Sequence, residues 1–296
     1  MRHVIENRAA PVASSEGSRP WLLRATVLAV LVACLYHGIL VRLILDWWND
    51  ADFSYGFLVP AFSAFVVWHG RRRLVAIRVA PSWFGLVLIA GALAMLIVGV
   101  LGAELFLSRS SLVFLLAGLI VYFFGWAHLR ALLFPWAFLF LMIPVPALIF
   151  NHITLPLQFL ASRLASSLLS LVGVPVLREG NVIRLPAMTL EVAEACSGIR
   201  SLLSLGTLAM IYGYLLEPTI LRRVLLALAA VPIAVVANGL RIMGTGLLGE
   251  YWNPQRAEGF FHTFSGWVVF VLALGMLLSL HRAMHLADLQ RTTRNA

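Results

Sequence analysis

Glu191–Leu216 reads EVAEACSGIRSLLSLGTLAMIYGYLL. From Ser197 onward the stretch carries one charge, Arg200, and is long enough to cross a bilayer, which takes about 20 mainly apolar helical residues. Just ahead of it stand two carboxylates, Glu191 and Glu194, and a thiol, Cys196. Arg200 follows the thiol by one helical turn. The stretch is a membrane span with a polar mouth, and the rest of the chain is read outward from it.

The surroundings agree with that reading. The chain has 296 residues, 61% apolar and 12% charged, with a mean hydropathy of +0.93. A soluble domain is about half apolar and a quarter charged, so this is an all-α polytopic membrane protein whose main solvent is the lipid bilayer. The net charge of +9 rests on 22 basic residues, every one an arginine. They lie mainly in short loops between apolar runs, where they orient spans, and no nucleic-acid partner is expected. Cys34 and Cys196 form no CxxC and no disulfide pattern. The first twenty residues are polar with no cleavage site after a short apolar core, so the span that opens at Trp21 is expected to be retained.

Eight spans are expected, at roughly 21–45, 55–69, 83–103, 110–126, 131–150, 197–216, 220–242 and 262–281. They form one transmembrane domain over 21–281, between tails at 1–20 and 282–296. Residues 154–172 mix Gln158, Arg163 and serines with leucines, as an amphipathic helix at the membrane interface would. With the segment to 195 they make an extracytoplasmic cap. In it Arg178-Glu179-Gly180-Asn181 separates two β-branched runs, the pattern of a hairpin. The clusters Arg71–Arg73 and Arg222–Arg223 belong in the cytoplasm, which puts both termini inside. Cys196 then opens span six, Arg241 closes span seven and His262 opens span eight, all at the extracytoplasmic level.

A membrane cysteine is usually a small apolar filler, and Cys34, within the first span, is read so. Cys196 differs. It stands at a helix start, where free amides favour a thiolate, with Arg200 and Arg241 able to add positive charge and Ser197-Gly198 leaving room for a substrate backbone. Arg241, in ANGLRIMGTG, either snorkels to headgroups or donates to a developing oxyanion, and Asn238 one turn earlier is a weaker candidate on the same face. His262 starts a span beside Thr263, Ser265 and Gly266, where an imidazole can serve as general base and acid. A thiol, a guanidinium and an imidazole on one membrane face describe thiol acyl transfer. Glu194, like Glu191, orients Arg200, binds a substrate amine or hydrates the cap. Asp46, Asp50 and Asp52 are read as a hydrated outer loop. No HExxH, zinc spacing or nucleotide-binding loop is present, so neither a metal nor a cofactor is expected.

EACSGIRS, ANGLRI and EGFFHTFSGW resemble, in order, the three signature blocks of the exosortase/archaeosortase family, closest to the bacterial exosortases. WWNDADFSYGFLVP and FPWAFLFLMIPVP resemble two upstream blocks, so the likeness covers nearly the whole chain. It implies an eight-span inner-membrane cysteine transpeptidase. Its partners would be secreted proteins with a C-terminal Pro-Glu-Pro motif, an apolar helix and a basic end. By the same resemblance Cys196 is the nucleophile, Arg241 the transition-state stabiliser and His262 the acid/base. The family usually has Ser-His-Gly where this chain has Ser54-Tyr55-Gly56, which makes Tyr55 an accessory candidate in a histidine's place. A reading from another class competes: a non-enzymatic transporter subunit or scaffold of exopolysaccharide export, which needs no reactive thiol. Nothing in the sequence decides the acceptor nucleophile or the oligomeric state.

Overall fold

A chain this apolar buries its backbone hydrogen bonds in helices, since lipid offers no partner for a free amide or carbonyl. The computed structural model describes residues 19–192, 198–252 and 260–294, with the side chains of 19–22, 260–265 and 287–294 outside the description. Cys196 and Glu194 lie outside the described residues, and His262 is described by its backbone alone. The chain divides into two units, Met1–Arg42 and Leu43–Ala296. Helix α1 (Arg19–Asn49) supplies the described part of the first and the opening turns of the second.

The remaining helices are α2 (Leu58–His69), α3 (Arg71–Val75), α4 (Phe84–Leu101), α5 (Leu105–Phe123), α6 (Trp126–Ala131), α7 (Leu133–Phe138) and α8 (Ala147–Leu171). After a small sheet come α9 (Ile199–Leu216), α10 (Ile220–Tyr251) and α11 (Phe260–Arg294). Six helices among the described residues are long and apolar enough to cross a membrane: Leu23–Asn49, Phe84–Leu101, Leu105–Phe123, Ile199–Leu216, Ile220–Tyr251 and Gly266–Leu286. A bent pair, Leu133–Met142 and Ala147–Leu171, meets at 83° and makes a seventh if it counts as one. The sequence reading's eight spans exceed even seven by one, Ser54–His69, which is helical and apolar but short. At 1.5 Å per residue it reaches about 24 Å, less than the hydrocarbon thickness.

Two expected elements take a different form. Residues 154–172 do not make a separate interfacial helix; they continue α8 from Ala147. Part of their polar set is buried in protein, while Arg163, Ser167 and Ser170 stay exposed: Gln158 is 8% exposed and Ser162 is fully buried, its hydroxyl donating to the Gly180 carbonyl at 3.0 Å. The amphipathic pattern marks a helix packed against α10 and the sheet. The cap is a three-stranded antiparallel meander rather than a two-stranded hairpin, with β1 (Leu177–Glu179), β2 (Val182–Arg184) and β3 (Thr189–Glu191) in that order. Gly180 turns β1 into β2 where the Arg-Glu-Gly-Asn signal stands. Residues 282–294 extend α11 without a break.

The interior of the second unit is built by close approach. A Cβ on Gly85 would lie 2.3 Å from the Tyr122 amide nitrogen, and one on Gly99 2.6 Å from that of Ser108, so α4 and α5 meet backbone to backbone. The two upstream blocks meet in the same way. The Trp47 indole covers Gly56 and donates to the Met142 carbonyl at 2.8 Å, while the Ser63 hydroxyl donates to the Pro135 carbonyl at 3.1 Å. Arg109, 3% exposed, pairs with Asp46 of α1. Phe134 stacks on Tyr214 at 4.1 Å, joining this cluster to α9.

A Gly56→Ala chain places its Cβ 2.3 Å from Trp47 Nε1, a ring already held by its hydrogen bond. The expected cost is about 1–3 kcal/mol from overpacking, read as a lowered unfolding temperature in detergent. An unchanged temperature would show that the Trp47–Gly56 contact does not hold these blocks together.

Candidate active site

The site draws on the starts of two helices, α9 and α11, and on a turn within α10. Helices α9 and α10 run antiparallel through the three-residue turn Glu217–Thr219, and their register is fixed at both ends. Near one end Gly213 faces the Arg223 backbone, a Cβ there falling 3.4 Å from Arg223 Cα. At the other, Gly198 faces Asn238, with a Cβ falling 3.1 Å from the Asn238 side chain. Gly198 caps α9 with φ +83°, a left-handed conformation that a side chain would strain by about 1–2 kcal/mol. The residue that opens α9 is therefore glycine on two grounds, backbone conformation and lack of space.

Asn238 is 1% exposed. Arg241 follows it by three residues on α10, so the two share a helix face, and Arg241 is half-buried there. The segment that carries Cys196 enters Gly198 directly, and Gly198 lies against the side chain one turn from Arg241. Ile199 and Leu205 are buried beneath, with Ala234 and Ala237 of α10.

Helix α11 runs parallel to α9. Tyr212 meets His281, and Glu217 meets both His281 and His285, contacts whose partners lie 64 to 69 residues apart. Leu205 and Ala209 share one cluster with Val269 and Ala273 at the same offset. Carried back along the two helices, that offset sets the His262 backbone within about a turn and a half of the level of Gly198. His262 stands in the first turn of α11. Gly198 and His262, at the starts of α9 and α11, thus lie near the level of Asn238–Arg241, which stands within α10: that helix runs on to Tyr251 rather than closing at Arg241 as the sequence reading expects. No side-chain geometry among Cys196, Arg241 and His262 is described.

Arg200 has a partner that the sequence reading did not assign. Its Nε donates to the Asp52 carboxylate at 2.6 Å, with Asp52 16% and Arg200 49% exposed. Asp52 is thus no hydrated loop residue. It ties the Asp50–Phe57 segment to the first turn of α9, and Arg200 is an anchor of the mouth before it is a neighbour of the thiol. Tyr55 sits in the same segment, packed against the cluster around Trp47, Phe62 and Met142. Glu191 ends β3, paired with Val182 and exposed, and the Val192 amide that follows donates to the Asn181 carbonyl at 2.9 Å. The sheet thereby holds the chain that leads into the segment ahead of Gly198. Asp52 is separated from Arg200 by 148 residues, so no local signal pointed to the pair.

A family model described as transmembrane exosortase (Exosortase_EpsH) matches residues 47–279. No curated protein and no solved structure matches the chain.

Asp52→Ala and Arg200→Ala are expected to be non-additive in a double-mutant cycle, with a coupling of about 0.5–1 kcal/mol for a half-exposed pair. The measurement is unfolding of purified protein at low and high salt. Strict additivity would mean that the two side chains do not hold the loop to α9.

Proposed function

The chain belongs to the family of transmembrane exosortases, and from that premise we propose that it is a membrane-embedded cysteine protease/transpeptidase. It cleaves the C-terminal sorting tails of exported proteins. The single observation that carries this reading is the shared level of the α9 and α11 starts, at Gly198 and His262, with Asn238–Arg241 of α10, beside the segment that holds Cys196.

The substrate's apolar tail lies in the bilayer against the exposed apolar helix faces, and its Pro-Glu-Pro motif reaches the extracytoplasmic mouth. The Cys196 thiolate attacks the scissile carbonyl carbon, and the oxygen takes up the negative charge. Arg241 stabilises that oxyanion, an interaction stronger in the transition state than in the ground state. The intermediate collapses to a thioester as the C–N bond breaks, and His262 gives its proton to the leaving amine. Water or an amine then attacks the thioester carbonyl, giving its proton to His262, and the thiolate is released. In this reading both termini are cytoplasmic, the membrane is the bacterial inner membrane, and the product belongs to the cell surface or exopolysaccharide layer. Asn238 supports the mouth by filling the space that Gly198 leaves, while Asp52 and Arg200 hold its rim.

Coexpression with a tailed substrate, followed by intact-mass analysis, tests the assignment. Cys196→Ala is expected to leave the tail uncut, and Arg241→Lys to slow cutting by about 10²–10³-fold, the size of a lost oxyanion donor. Gly198→Ala should slow it at least about tenfold by displacing Asn238 or straining the helix start. Normal processing by Cys196→Ala would exclude the thioester.

A further inference from the structure

The other end of the same helices carries a second cluster, which the transpeptidase reading does not use. Glu217 caps α9 with its side chain fully buried. Its Oε1 lies 2.8 Å from His281 Nε2 and 2.9 Å from His285 Nε2, and the two Nε2 atoms lie 3.0 Å from each other. The two histidines are four residues apart on α11 and so share one face.

With the carboxyl ionised, protons on the two imidazoles alone do not satisfy this triangle. The carboxylate oxygen has only lone pairs, and each Nε2 carries one hydrogen or one lone pair. With both nitrogens protonated, two N–H groups point at each other across 3.0 Å. With either one deprotonated, its lone pair faces the carboxylate oxygen at less than 3 Å. One cation between the three atoms turns every one of these repulsions into a bond. Around a tetrahedral zinc with ligands at about 2.0–2.1 Å, neighbouring ligand atoms are about 3.3 Å apart, so a slight widening of the triangle admits the ion.

The surroundings suit that use. Tyr212 Oη lies 2.7 Å from His281 Nδ1; in the tautomer with its proton on Nδ1, the imidazole donates to that hydroxyl and leaves the Nε2 lone pair to a metal. Arg223 Nε donates to the Glu217 carbonyl at 2.7 Å and fixes the end of α9. Glu217 Oε2 is buried and makes no hydrogen bond among the described residues, with Arg222 Nη1 3.6 Å away. His285 is half-exposed, and beside the histidines a cavity of about 650 Å³ lined by Tyr212, Leu278, Ser279 and Arg282 leaves access to a fourth position.

We propose that Glu217, His281 and His285 form a binding site for a divalent transition metal of the zinc class, with one position open to the cavity. Two imidazoles and one carboxylate suit zinc, whereas calcium and magnesium take oxygen ligands. The 18 residues of α9 separate the site from Gly198 by about 27 Å. It therefore takes no part in chemistry at the mouth. The ion would join the end of α9 to α11, the two helices whose opposite ends lead to Cys196 and His262, and so hold their register.

The test uses full-length protein in detergent, purified without a polyhistidine tag and carrying Cys34→Ala and Cys196→Ala so that no thiolate competes. After chelation and dialysis, Co²⁺ is titrated in and the visible d–d bands recorded, and Zn²⁺ is added in a parallel thermal unfolding series. The expected result is tetrahedral bands saturating near one ion per chain and a zinc-dependent rise in unfolding temperature. Both should weaken by about 10–100-fold in affinity or more in His285→Ala and in Glu217→Gln. His285 is half-exposed, so His285→Ala reads metal binding even where substitution of the buried Glu217 impairs folding. No cobalt bands, or unchanged binding by His285→Ala, would overturn the site. Because the thiols are absent throughout, neither result depends on the role of Cys196.

Discussion

The arrangement of this protein depends on the seam between α9 and α10. Gly213 against Arg223 and Gly198 against Asn238 fix where the two helices start and stop relative to one another. Between these points small residues, Ala209, Ala230, Ala234 and Ala237, are fully or nearly fully buried beside Leu205 and Leu226. In lipid there is no hydrophobic drive between helices, so close packing and the removal of side chains must supply the association. Alanine and glycine along the seam do that, and they leave little freedom to slide. Once α9 and α10 are in register, the parallel path of α11 follows from the contacts at Tyr212 and Glu217. The level of the mouth is thus set by packing some 20 Å or more away from it.

The segment before α2 and the region around α7 complete the frame. The two upstream blocks were legible as blocks, but their purpose was not. Trp47 stands at a span end, where an aromatic suits an interfacial anchor, yet its indole is 7% exposed and hydrogen-bonded to Met142 across 95 residues. An aromatic near a span end has the same local signature whether it faces headgroups or a neighbouring helix. The same ambiguity explains residues 154–172. Period and composition identify a polar stripe on a helix, and they do not say whether that stripe meets water, headgroups or buried carbonyls such as that of Gly180.

What could be read early was whatever the bilayer dictates. Long apolar runs become helices because unpaired backbone is costly in hydrocarbon, and the helices at 84–101, 105–123 and 199–216 lie close to their expected places. The alternation of crossing directions alone leads to the expectation that Cys196, Arg241 and His262 share one level. The break after Met142 was not legible, although Pro144 and Pro146 stand there. Prolines within apolar helices are common enough that they mark a bend only when the packing requires one, and α8 and α10 carry Pro156 and Pro232 without ending.

Carboxylates show the limit of sequence reading most plainly. The chain has 13 acidic residues, and several of the described ones reach partners far away in the sequence. Asp46 reaches Arg109, Asp52 reaches Arg200, and Glu217 reaches His281 and His285, over 63, 148, 64 and 68 residues. Each stands at or just beyond a helix end, where the cost of a charge is lowest and a neighbouring helix is near. A carboxylate in such a place looks like loop hydration when only its neighbours in sequence are visible. In an apolar environment its real partner is whichever cation the fold delivers, because water is scarce and an unpaired charge is expensive. Scarcity of acids in a membrane chain is therefore itself a signal: each one kept near a helix end is a candidate link between elements, and its partner must be sought in space.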